Sequence, residues 1–182
     1  MPTTVMRKAG RRAVLSFGLI IVAGVCGGCG DGAESIEEQR AFLVTGNWSG
    51  VLVNGDTGPN PFISAGSTAP VSCEVYSTGD NWWHPGKLWN GTCRISWGPG
   101  VHFSSSYRTL QNPASGNSYQ FIDYVGFTPP NAVVSTAGAL PVCRISSQEF
   151  GFALGKLWEG RCRFEYGNEA WSSSAFKVLI QP

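Results

Sequence analysis

The stretch SCEVYSTGDNWWHPGKLWNGTCRISWG (72–98) returns as VCRISSQEFGFALGKLWEGRCRFEYG (142–167), and this internal duplication constrains the chain more than any other feature. Cys73 matches Cys143, GKLW at 86–89 matches 155–158, Cys93-Arg94 matches Cys162-Arg163, and Gly98 matches Gly167. Three serines follow in each copy, at 104–106 and 172–174. Upstream, PNP (59–61) with Pro70-Val71 aligns with PNA (130–132) with Pro141-Val142. The repeats therefore run over 47–112 and 117–182, parted by the polar turn cluster NPASGNS (112–118).

Within each copy the hydrophobic pattern has a period of two. VSCEVY (71–76), TCRISW (92–97), PVCRI (141–145) and RCRFEY (161–166) alternate apolar and polar residues and are bounded by Gly, Pro or Asn. Twenty-four Gly and eleven Pro favour short strands and turns over long helices. The expectation is an all-β fold in which each repeat supplies four or five short strands. Either repeat alone would leave apolar faces exposed, so the two should pack around one core.

Four cysteines fall in the repeats, one pair per copy, separated by 20 and 19 positions. Three disulfide connectivities are open. The duplication favours Cys73 with Cys93 and Cys143 with Cys162, each closing a loop that stabilises by about 3 kcal/mol on the entropic view. A zinc site is the rival reading, but these four cysteines lack the close C-x-x-C spacing such sites use.

The N-terminus reads as an export signal. Arg7, Lys8, Arg11 and Arg12 precede an uncharged run from Ala13 to Val25, too short to span a bilayer. The run ends in VCGGCG (25–30), which resembles a bacterial lipoprotein signal with Cys29 as the lipidated residue and the membrane as a partner through that anchor. Simple cleavage and secretion is the alternative. Arg11-Arg12 also resembles a twin-arginine signal. Residues 29–46, rich in acids, form an expected solvated tether with a short helix over 34–43. Without residues 1–28, nine bases face twelve acids, a balance with no basic field for nucleic acid.

On these motifs the repeat resembles the DM9 family. Copy two carries most of the likeness in TPPNAVV (128–134), LPVCRI (140–145), LGKLW (154–158), RCRFEYGNE (161–169) and FKVL (176–179). Copy one keeps PNP, HPGKLW (84–89), TCRISWG (92–98) and YRTL (107–110). The resemblance implies two interlocked, pseudo-twofold antiparallel β repeats forming one compact domain. In some members it implies lectin activity toward mannose-type sugars, often as a homodimer. The family's sugar-contacting lysine maps to Lys87 and Lys156 by motif position. The acid that mannose-binding members carry after PNAV is absent from ISAGSTAP (63–70) and VSTAGALP (134–141).

The residues themselves point the same way. Lys87 and Lys156 are the lysines that recur in the duplication, each preceded by Gly and followed by Leu-Trp. A loop lysine offers three donors to sugar oxygens and an aromatic face covers the C–H side of a pyranose. The bland reading makes GKLW a turn with Trp89 and Trp158 in the core. Seven residues before each lysine stand Asp80 and Glu149, the one position acidic in both copies and a candidate hydroxyl acceptor. Trp83 and His84 complete the candidate ligand-binding set, with Trp82-Trp83 suggesting copy one as the better stacking site. No nucleophile, metal or phosphate-cradling motif is present, so neither catalysis nor a cofactor or metal is expected. Glu159, Glu165 and Glu169 are carboxylates available to a glycosidase, but their copy-one counterparts are not acidic. The alternative to a carbohydrate-binding protein is a non-catalytic structural or protein-interaction module of the envelope.

Overall fold

The computed structural model describes residues 7–8, 43–63, 70–114, 118–137 and 140–182. Cys29 and most of the expected leader and tether lie outside the described residues, as does most of the 63–70 loop. All regular structure among the described residues is β. Copy one forms a six-stranded sheet ordered β3 (Leu52–Val53), β8 (Ser106–Thr109), β4 (Val71–Ser77), β5 (Trp82–Trp89), β6 (Thr92–Trp97) and β7 (Gly100–Ser104). Copy two builds a seven-stranded sheet around β14 (Glu169–Ser173), β13 (Arg161–Tyr166), β12 (Gly151–Trp158), β11 (Val142–Ser147), β15 (Lys177–Ile180) and β9 (Gln120–Asp123). The outer edge of β14 is met by β1 (Arg7–Lys8). Every pairing within the two sheets is antiparallel.

Four strands fall where alternation puts them, but the GKLW segments do not form turns or loops. They are the second halves of β5 and β12, the longest strands of their sheets. Both disulfides form as the duplication suggests, Cys73–Cys93 and Cys143–Cys162. Each joins the two strands that flank GKLW, with Cα atoms 5.9 and 5.8 Å apart. Neighbouring strands normally sit about 4.8 Å apart, so strands on either side of a third should lie roughly twice that distance from one another. The sheet must therefore bend sharply at the strand between. Cys73 is in register with Gly86 and Cys143 with Gly155. A Cβ on either glycine would collide with a carbonyl of the next strand, that of Arg94 or of Arg163. Glycine recurs in GKLW because the backbone closes on itself there. The disulfides are fully buried, and the pairing marks a chain folded in an oxidising compartment rather than the cytoplasm.

The strand ends use turns whose chemistry also recurs. Asn90-Gly91 links β5 to β6 with both residues at positive φ, the hairpin geometry that suits strand twist, and Glu159-Gly160 does the same between β12 and β13.

The halves interlock. Strands β5 and β6 pack on β12 and β13, and an apolar cluster mixes both copies: Phe62 and Leu110 with Tyr119, Val133, Val142 and Leu179. A parallel pairing of β2 (Val44–Thr45) with β10 (Val133–Val134) ties the chain before copy one to copy two. The expected tether to residue 46 thus ends earlier. Leu43 packs on the core, and Gly46 sits so tightly that a Cβ would lie 2.7 Å from Leu110 Cδ1.

Candidate functional site

Because the copies cross at β5 and β12, each GKLW lysine reaches into the opposite repeat, and two related clefts result. Neither lysine lies in a loop open to solvent. Lys87 and Lys156 are 8% and 5% exposed, each in the wall of a cleft, while Trp89 and Trp158 are 50% and 38% exposed rather than core residues.

The first cleft, of about 380 Å³, is lined by Asp80, Trp82, His84, Trp97 and Gly98 of copy one and by Lys156, Trp158 and Arg163 of copy two. Lys156 Nζ lies 2.7 Å from His84 Nδ1, and His84 Nε2 lies 2.9 Å from Asp80 Oδ2. Asp80 also accepts from Trp97 Nε1 at 3.2 Å and from the Trp82 backbone N–H at 3.3 Å. Burial pushes the Asp80 carboxyl up, but hydrogen bonds from His84, Ser77 and Trp97 outweigh it and hold the group at about 2. An ionised carboxylate only accepts, so His84 Nε2 carries the proton that it donates. Burial, and then the Lys156 charge, push His84 below its ordinary value against the pull of Asp80, so its ring is neutral and Nδ1 accepts from the ammonium. Burial, reinforced by Arg163 and opposed by Asp80, lowers Lys156 from 10.5 to about 8. Among the described residues the ammonium gives one of its three donors to His84, which leaves two for other acceptors. Trp82 and Trp158 meet edge to face at 6.2 Å.

The second cleft, of about 690 Å³, is its pseudo-twofold mate. Lys87, Trp89 and Arg94 come from copy one, and Glu149, Phe152, Glu165, Tyr166 and Asn168 are among its copy-two walls. Here the lysine is matched by a carboxylate. Lys87 Nζ lies 3.1 Å from Glu165 Oε2, and Arg94 Nη1 lies 3.7 Å from Oε1 of the same fully buried side chain. The Asn168 backbone N–H donates to Glu165 Oε1 at 2.8 Å, and Lys87 sits 5.3 Å from the Tyr166 ring centre.

The structure thus gathers Asp80, His84 and Lys156 at one cleft and Lys87 with Glu149 at the other. Trp83 belongs to neither. Its ring is covered by the Arg108 guanidinium at 4.1 Å and leans on Tyr76 at 5.5 Å, because adjacent residues of a strand point to opposite faces. Of the adjacent pair, Trp82 is the one that lines the cleft. Trp97 and Arg163 were missed by sequence reasoning, and Trp158 entered it only as the neighbour of Lys156, although Trp89/Trp158 and Arg94/Arg163 recur in the duplication as strictly as the lysines.

No family model matches the chain, and no curated protein matches it. Among solved structures the fold is similar to the nematode sperm cell motility protein MFP2B, with a TM-score of 0.57 at 15% identity. The match covers 75% of this chain and 44% of that one, so this chain spans less than half the length of its structural neighbour. At that identity the likeness is one of fold alone.

Proposed function

We propose that this chain is an exported carbohydrate-binding protein of DM9 type, anchored through a lipid on Cys29, that holds a sugar in the cleft of Lys156. The observation that carries the reading is a buried amine with two donors to spare, set among Trp82, Trp97 and Trp158 in a cleft of about 380 Å³. That volume is in the range of small-molecule sites. Sugars are recognised by this combination, hydroxyls on directed donors and the apolar ring face on an aromatic. Asp80 and His84 fix the amine in place, and no step of bond making or breaking is assigned to them.

Calorimetric titration of the protein with a panel of monosaccharides tests this. Binding that falls at least tenfold in Lys156→Ala and in Trp158→Ala, and is unchanged in Trp83→Ala, supports the reading. A flat titration across the panel, or binding indifferent to both cleft substitutions, refutes it. Mass spectrometry of the mature N-terminus tests the anchor, which requires a diacylglycerol adduct on Cys29.

A further inference from the structure

The two clefts are built from the same columns of the duplication, and their differences identify a ligand class. In the second cleft Lys87 and Arg94, register partners on β5 and β6, converge on one carboxylate, that of Glu165. In the first cleft the corresponding cations are Lys156 and Arg163, register partners on β12 and β13. The residue that matches Glu165 there is Ser96, also buried but too short to supply a carboxylate. The Lys156 cleft therefore repeats the cationic half of a carboxylate clamp and lacks the half that the protein supplies to itself next door.

Resting on the carbohydrate reading of this cleft, we infer that its ligand is an acidic sugar, a uronate, whose carboxylate takes between Lys156 and Arg163 the place that Glu165 fills between Lys87 and Arg94. The pyranose ring then lies along Trp82 and Trp158, which line the same cleft. One acid already stands there. Asp80 accepts from His84, Trp97 and the Trp82 backbone, and it reaches the amine through the His84 ring rather than by a direct ion pair. Arg163 also meets Glu159, whose carboxylate is exposed and lies 2.6 Å from Nη2. A guanidinium has five donors, which leaves a second carboxylate room to bind.

Paired titrations decide the matter: galacturonate against galactose and glucuronate against glucose, at pH 6 and low salt. The uronates are expected to bind at least tenfold tighter than their neutral parents. Ser96→Glu, which installs the neighbouring cleft's own carboxylate, should reduce that preference to less than twofold. Arg163→Gln reaches the same end without adding a buried group and serves if Ser96→Glu does not fold. Equal affinity for acid and neutral sugar, or a preference untouched by Arg163→Gln, overturns the acidic-ligand inference and leaves sugar binding standing. If neither member of either pair binds, the acidic-ligand inference falls, and sugar binding falls with it only if the wider monosaccharide panel is also flat.

Discussion

Glu74 offers the sharpest physical test of how the halves are joined. Its side chain on β4 is fully buried at the junction, where it accepts from Thr136 of the other repeat, 2.9 Å from the backbone N–H and 2.6 Å from Oγ1. Arg108 Nη1 is 3.9 Å away. Burial dominates over the Thr136 hydrogen bonds and the Arg108 charge, and raises the carboxyl from 4.5 to about 7. Between those values the native chain holds a proton that the unfolded chain has lost, so stability falls as pH rises through the interval. The difference corresponds to about 3 kcal/mol. Glu74→Gln keeps the shape and most hydrogen-bonding capacity but cannot titrate. Urea unfolding of both proteins at pH 5, 6, 7 and 8 should show the stability of the parent relative to the variant dropping by about 2.5 kcal/mol across the series, the rest of the shift lying below pH 5. Other titrating groups are shared and cancel. Loss of the Arg108 contact adds little slope, because that guanidinium stays partly exposed on the Trp83 ring. A difference constant to within about 0.5 kcal/mol from pH 5 to 8 would mean that Glu74 is charged throughout, and the reasoning from burial would be wrong.

Two further perturbations probe the same architecture. Lys87→Met leaves the buried Glu165 with the Asn168 N–H and, as its remaining cation among the described residues, Arg94 at 3.7 Å, and should cost about 3–5 kcal/mol, much of it recovered in the double variant with Glu165→Leu. Additive losses in urea unfolding would instead show the two side chains to be independent. Gly86→Ala and Gly155→Ala each drive a methyl into a carbonyl oxygen of the neighbouring strand and should cost about 1–3 kcal/mol or more, read as a lowered Tm. Unchanged melting in both would show that the strands do not approach so closely.

The duplication made the strands at 71–76, 92–97 and 161–166 legible, and with them the cysteine pairs, because local alternation and loop closure act within one copy. The GKLW strands were hidden by their own residues. Glycine, and Pro85 in copy one, are turn formers, and a lysine in the middle of an apolar strand invites a solvent-facing reading. What holds them extended is tertiary, a disulfide drawn between the flanking strands over a residue without a side chain. Trp82 and Trp83 illustrate a second limit. They are neighbours with equal propensity, and only the register of β5 decides which reaches the cleft. His84 and Lys156 illustrate a third, since they meet across 72 positions and two repeats.

The divergence between copies has a direction. Lys156 faces His84, where copy two has Ala153, and Lys87 faces Glu165, where copy one has Ser96. Each change sits in the column that meets the lysine of the other copy, so the two exchanges act on different clefts and in opposite senses. A carboxylate placed against Lys87 satisfies that amine internally, and a buried pair of this kind penalises any separation of the halves because either charge left alone is costly. A neutral imidazole placed against Lys156 orients the ammonium without neutralising it. One cleft thereby ties the repeats together through an ion pair, and under the proposed function the other keeps its ammonium for a ligand. On the proposed function, the expected stoichiometry is one sugar per chain despite the twofold ancestry. Titration yielding two equivalent sites per chain, or a single site abolished by Glu165→Gln but not by Lys156→Ala, would place the ligand in the wrong half of the duplication and refute this division of labour.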